Sequence, residues 1–266
     1  MLKFIFIVVL VPLAILVGVV LLTYIFQRRL LYPAPQIELP LQLPEQVQKI
    51  DFENGYGLYM LPADQQSPSP ALIFAHGNGE VASQWIDDFT TLVNAGFAVM
   101  LVEYPSYAGA PGKPSFDTMR QMAVDAYDFL AGQPQVDAER IIAYGRSLGG
   151  GAACLLAESR PLAALVLEST FSTLKQLVGE LKYPSAFLKD QYDNVGIVAA
   201  TSIPIFIYHG TEDDLIGVHH ADALHNAARN SELLLHKCDH NSCPRPWQAL
   251  LAFLSANGVT DIELVE

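Results

Sequence analysis

A serine bracketed by glycines, Gly145-Arg146-Ser147-Leu148-Gly149, lies between the apolar run Ile141 to Tyr144 and the small residues Gly150, Gly151, Ala152 and Ala153. A strand that turns into a helix through one residue strains that residue's backbone. It also brings the two elements so close that only tiny side chains fit two positions away. The pattern predicts a sheet whose strand ends feed helices, with Ser147 on the sheet's edge. The N–H groups that open the helix favour negative charge developing beside that serine. The duller alternative is a glycine-rich turn that only packs a helix on a sheet.

The rest of the chain supports the first reading. Short apolar runs recur at Ala71 to Ala75, Ala98 to Val102, Leu165 to Leu167, Ile205 to Tyr208 and Leu233 to Leu235. Segments with helical character separate them near Val81 to Ala95, Phe116 to Ala131 and Leu148 to Glu158, and Trp247 to Leu254 closes the chain. Alternation of this kind predicts an α/β fold, a mostly parallel sheet with helices on both faces. Two further strands, near Val47 to Phe52 and Leu58 to Leu61, are expected ahead of it, joined by a turn with Asn54, Gly55 and Gly57.

Hydrophobic residues make up 51% of the chain and charged ones 16%, and the apolar excess is concentrated at the N-terminus. Phe4 to Phe26 runs 23 residues without a charge, enough at the helical rise to cross a hydrocarbon core of about 30 Å. The expected organisation is a single transmembrane anchor over 1–27, a tether over 28–46 and one catalytic domain over 47–266. A cleaved secretory signal is the competing reading, but Val19 to Tyr24 offers no small-residue cleavage site. Pro33, Pro35, Pro40 and Pro44 make the tether extended, with a reach of no more than about 60 Å at about 3 Å per residue. Lys3 on one flank and Arg28 with Arg29 on the other leave the orientation undecided. Cys238 and Cys243 could be bridged, which would suit an extracytoplasmic domain, or could be two free thiols.

A net charge of -13 gives no electrostatic footing for nucleic acid. The cysteines show no zinc-ligand spacing. His219, His220 and His225 lack the separation of three or four that places two ligands on one helical face. Neither a metal nor a cofactor is expected.

A serine hydroxyl is a weak nucleophile and needs a base, with an acid behind it, from elsewhere in the chain. In α/β sheets of this kind the order is serine, acid, histidine. Glu212, Asp213 and Asp214 follow the strand Ile205 to Tyr208, and any of the three could be the acid or belong to a solvated loop. His240 follows the next strand and is the one histidine that comes after the acid at strand spacing. His76 and His209, at strand ends before glycines, are expected in structural hydrogen bonds. The turn His76-Gly77-Asn78-Gly79 and the helix start at Leu148 are the expected sources of an oxyanion hole, through the backbone N–H groups of Asn78 and Leu148.

From Arg28 to Leu254 the chain resembles small, single-pass alpha/beta hydrolases, a group whose relatives include membrane-associated esterases and palmitoyl-protein thioesterases. The resemblance is carried by Arg28-Arg29-Leu30-Leu31-Tyr32-Pro33, His76-Gly77-Asn78, Glu103-Tyr104-Pro105-Ser106-Tyr107, Gly145-Arg146-Ser147-Leu148-Gly149, Glu168-Ser169-Thr170-Phe171 and His209-Gly210-Thr211-Glu212-Asp213. It implies the alpha/beta-hydrolase fold, and it selects Asp213, four residues after the histidine of the His-Gly pair, as the acid. Two positions depart from the group: Asp239 stands before His240 where glycine is usual, and Ala108 follows Tyr107 where glycine is common. Between Glu168 and Pro204 there is room for a short lid, including Leu174 to Leu181, so a shallow, open acyl pocket is expected.

The implied activity is hydrolysis of carboxylic esters or thioesters through an acyl-serine, with Ser147, His240 and Asp213 as nucleophile, base and acid. Small-molecule or lipid-like acyl compounds are the expected substrates, and the membrane is a partner through the N-terminal helix. Alternatives are a serine peptidase or an acyltransferase using the same residues, or a non-catalytic membrane-tethered binding module.

Overall fold

The computed structural model describes residues 10–37, 43–63 and 68–261. Lys3 and the start of the expected anchor, part of the tether and part of the polar loop after Pro62 lie outside the described residues. An eight-stranded sheet forms the centre, in the order β1-β2-β4-β3-β5-β6-β7-β8. Its members are β1 (Val47–Asp51), β2 (Tyr56–Met60), β3 (Ser69–Ala75), β4 (Ala98–Glu103), β5 (Val136–Arg146), β6 (Ala164–Glu168), β7 (Ile205–Gly210) and β8 (Ser231–His236). The β1–β2 and β2–β4 pairs are antiparallel and all the others are parallel. This is the alpha/beta-hydrolase fold.

The near-continuous apolar strands follow from burial on both faces. Ile73, Met100, Ala143, Leu165 and Ile207 pack into one core layer, while their neighbours Leu72, Val99, Ile142, Val166 and Phe206 pack into the other. The covering helices are α2 (Ile86–Asn94), preceded by a 3-10 turn at Ala82–Trp85, then α3 (Phe116–Ala131), α4 (Leu148–Ser159), α7 (His219–Ala227) and α8 (Trp247–Ala256). Between β6 and β7 lie the two short helices α5 (Leu174–Glu180) and α6 (Asn194–Ala200). Helix α3 shows how local sequence sets an element. The Ser115 hydroxyl accepts the Thr118 N–H at 3.2 Å as an N-cap, and Met119, Met122, Ala123, Ala126, Tyr127 and Leu130 recur at helical spacing on the buried face.

The N-terminal helix α1 (Val11–Leu31) is long and apolar enough to cross a membrane. It does not end at Phe26. Arg28 and Arg29, expected to open the tether, form its last turn, because Arg28 is held by a bidentate pair with Asp190 at 2.8 and 2.9 Å. The described tether residues also lie on the domain instead of reaching away from it. Tyr32 is buried with its hydroxyl 2.8 Å from that of Tyr192, the Ala108 N–H donates to the Pro35 carbonyl at 3.0 Å, and Gln36 donates to the Ser106 carbonyl at 2.9 Å.

Candidate active site

Strand β3 has β4 on one side and β5 on the other, both parallel to it. The chain therefore reverses direction across the sheet at this point, and the crevice beyond such strand ends is where open α/β sheets bind ligands. The turn after β3 carries Asn78, and the turn after β5 carries Ser147.

Ser147 has φ 53° and ψ -118°, the strained conformation expected for a strand-to-helix turn. The flanking glycines are required by contact. A Cβ on Gly145 would stand 2.3 Å from the Gly149 carbonyl oxygen, and one on Gly149 would stand 1.9 Å from that of Ala75. The strain is held from β6. The Ser147 N–H donates to the Glu168 carbonyl at 2.9 Å, and the Thr170 hydroxyl donates to the Ser147 carbonyl at 2.6 Å, which accounts for the threonine of the Glu168-Ser169-Thr170 motif.

His240, in the loop after β8, places Nε2 3.1 Å from the Ser147 Oγ and Nδ1 2.7 Å from the Asp213 Oδ2. A carboxylate only accepts, so Nδ1 carries the proton and Nε2 is left as acceptor for the serine hydroxyl. Of the three adjacent acids after β7, Asp213 alone is buried, while Glu212 and Asp214 face solvent. The second oxygen of Asp213 accepts the N–H groups of Leu215 and Ile216 at 3.0 and 2.8 Å. Burial opposes ionisation of this carboxyl, but the bonds from His240 and the Ile216 N–H and the charge of neighbouring histidines outweigh it and hold its pKa below the ordinary value. His209 serves the same loop by donating to the Ile216 carbonyl at 2.7 Å, and burial pushes its pKa below the ordinary value. His76, as expected, is tied into the structure, 3.0 Å from the buried Glu103.

Leu148 opens α4, so its N–H has no acceptor within the helix. It and Asn78 line the same cavity as Ser147. The cavity encloses about 290 Å³, and its other walls come from the α5 segment and, unexpectedly, from α1. The pocket expected to be shallow and open is instead walled by the N-terminal helix.

Several functional neighbours escaped the sequence reading. Arg146, inside the elbow itself, is buried and donates to the His240 carbonyl at 2.6 Å and to Asn241 Oδ1 at 3.0 Å, while also pairing with Glu80. Glu80 in turn accepts the Gly77 N–H at 2.7 Å. One guanidinium thus ties the histidine loop to the turn that carries Asn78, and a charged residue at so buried a position in the motif was the available signal. The two departures from the resembled group are both accommodated. Asp239 accepts the Asn241 and Ser242 N–H groups at 2.8 Å each, building the turn a glycine would otherwise make. Ala108 adopts φ 43°, a left-handed angle usually left to glycine. Away from the site, His219 and His220 converge on Glu180 at 2.9 and 3.0 Å, a grouping that helical spacing could not reveal because the acid comes from α5.

The profile of the alpha/beta hydrolase family matches residues 72–256, which span every element from β3 to α8. The chain belongs to the alpha/beta hydrolase family. Among the proteins it is similar to is the uncharacterized protein Rv2307c of Mycobacterium tuberculosis, 32% identical over 210 residues that cover 75% of this chain and 74% of that one. Another is alpha/beta hydrolase domain-containing protein 17C of Xenopus laevis, 28% identical over 73% of this chain and 57% of that one. Among solved structures, an acetyl xylan esterase from Paenibacillus sp. R4 superposes with a TM-score of 0.68 at 17% identity, covering 88% of this hydrolase and 93% of the esterase. At that identity the likeness is one of fold.

Cys238 and Cys243 are joined in a disulfide that closes the loop holding His240. In the chain-entropy picture so short a loop gains only about 2 kcal/mol from its bridge, so reduction should loosen the histidine more than the core. Alkylation of native protein before and after reduction, read by intact mass, should show two thiols appearing only with reductant, together with a severalfold fall in turnover. Two freely alkylated thiols in native protein would contradict the bridge.

Proposed function

We propose that this family member is a membrane-anchored serine hydrolase that cleaves carboxylic esters or thioesters through an acyl-serine intermediate. The single observation that carries the reading is the buried chain of hydrogen bonds from Ser147 Oγ through His240 to Asp213. In this mechanism His240 Nε2 takes the Ser147 proton as Oγ attacks the acyl carbon, and the Asp213 carboxylate stabilises the imidazolium that results. The N–H groups of Asn78 and Leu148 receive the oxyanion, at the start of a helix whose dipole favours negative charge. Collapse of the tetrahedral species expels the alcohol or thiol, which takes the proton from His240. Water, activated by the same histidine, then releases the acid and restores Ser147. Tight seating of each group in this order favours catalysis over a binding module that merely inherits the fold.

The contacts from Arg28 and Tyr32 onto the lid support α1 as a retained anchor in preference to a signal that is cut away. The Cys238–Cys243 bridge supports a catalytic domain on an oxidising side of the membrane.

The test separates neighbouring acids. Asp213→Asn should lower kcat by roughly 10³- to 10⁴-fold, because the amide no longer sets the tautomer of His240. Asp214→Asn, at an exposed position, should leave kcat within about twofold. Equal losses, or the reverse ranking in steady-state hydrolysis of a p-nitrophenyl ester, would remove Asp213 from the mechanism.

A further inference from the structure

The cavity at Ser147 lies between two opposed apolar helix faces. Val20, Thr23, Gln27 and Leu31 of α1 line it at intervals of three and four, and together with Gly18 they are the partly covered positions on a helix otherwise exposed. Facing them, Leu174, Leu177, Val178 and Leu181 line it from the α5 segment at the same spacing. Ser147 and Leu148 are among the lining residues, none of which carries a charged side chain. From Val20 to Leu31 the groove follows α1 for about 16 Å at the helical rise.

Polar contacts fix this arrangement at one end. Besides the Arg28–Asp190 pair, Gln27 donates to the Phe187 carbonyl at 3.2 Å and accepts the Lys189 N–H at 2.7 Å, while the Lys189 ammonium lies 4.3 Å from the centre of the Tyr24 ring. At the other end the groove runs alongside the stretch of α1 that is apolar on all sides. Tyr183 and Phe187, 55% and 65% exposed, line the groove from the lid. Large side chains left open to solvent in this way, continuous with a membrane-length helix, suit a hydrocarbon surrounding.

We propose that α1 is one wall of the substrate site as well as an anchor, and that the groove takes a single long acyl chain of a bilayer lipid ester, which enters sideways from the membrane along α1 and presents its carbonyl to Ser147. The inference rests on the serine-hydrolase reading of that same site. An uncharged, elongated apolar groove recognises a chain and not a headgroup or a peptide.

The experiment uses the full chain in phosphatidylcholine vesicles with p-nitrophenyl esters from acetyl to palmitoyl, and compares wild type with Val20→Trp and Thr23→Trp, which fill the groove. Val20→Ala and Thr23→Ser widen it and guard against misfolding of the bulky variants. Leu16→Trp, on an exposed position outside the groove, is the control. The palmitoyl-to-acetyl ratio of kcat/KM should fall at least tenfold in both bulky variants, hold or rise in the widened ones and stay at the wild-type value in Leu16→Trp. An unchanged ratio in the groove variants, or an equal fall in all variants including Leu16→Trp, would overturn the role of α1. An S-acylated peptide in the same vesicles is the second arm. Its hydrolysis with no cleavage of a monoacyl lipid ester would overturn the lipid source. Fluorophosphonate labelling of Ser147 is followed in each sample: wild type that fails to label would instead defeat the underlying hydrolase reading.

Discussion

Hydrolysis of a p-nitrophenyl ester by the Ser147→Ala variant is expected to fall by roughly 10⁴- to 10⁶-fold in kcat, because His240 then has no nucleophile to activate. Oxyanion donors and binding alone leave only a small residual rate over water. The fold should hardly notice the change. Alanine inherits the same positive φ, and the bonds that keep Ser147 in place are made by its backbone N–H and carbonyl, which remain. Thermal unfolding should therefore shift by no more than about 2–4 °C, the equivalent of about 1 kcal/mol in a domain of this size. A variant that keeps wild-type turnover would take Ser147 out of the chemistry.

The second large effect is structural and falls two residues away. In Gly149→Ala the new methyl would meet the carbonyl oxygens of Ala75 and His76 at 1.9 and 2.7 Å, both backbone atoms where β3 leads into the turn that carries Asn78. Neither can rotate aside, so α4 must move off the sheet, at a cost of about 3 kcal/mol or more. Such a loss lowers the melting temperature by roughly 6–12 °C and displaces Ser147 from His240, so activity and stability fall together. Gly132→Ala provides the contrast. Its methyl would meet nothing closer than 3.5 Å, and its φ of -85° suits any residue; the melting temperature should stay within about 2–4 °C of wild type. Equal melting temperatures for the two variants would mean that the elbow is not packed as described.

These two predictions lean on features legible from the chain alone. Strands such as Ile205–Gly210 and helices such as Phe116–Ala131 follow from local period and capping, which a reader of the sequence can count. The elbow was legible because its glycines answer a local steric demand. Asp213 was only partly so: three acids stand in a row, and burial against His240, contributed by a loop 27 positions away, is what distinguishes one of them. The wall that α1 builds was hidden for a similar reason. Arg28 and Asp190 are 162 positions apart, and an all-apolar helix masks which side faces a partner. Thr23 and Gln27, four residues apart in that apolar surface, were the trace of it. Arg146 was overlooked because the motif leaves its position unspecified, while the folded chain uses its guanidinium to hold the His240 loop by two bonds from one nitrogen.

The central claim is that His240 and Asp213 make Ser147 an activated nucleophile, and covalent capture by a fluorophosphonate tests it most directly because the probe reacts readily only with such a serine. Incubation of the full chain in vesicles, followed by intact mass and peptide mapping, should show one adduct per chain located at Ser147. The same treatment of His240→Ala should show labelling slowed by several orders of magnitude. No adduct on folded wild-type protein, or an adduct on a different serine, would contradict the account.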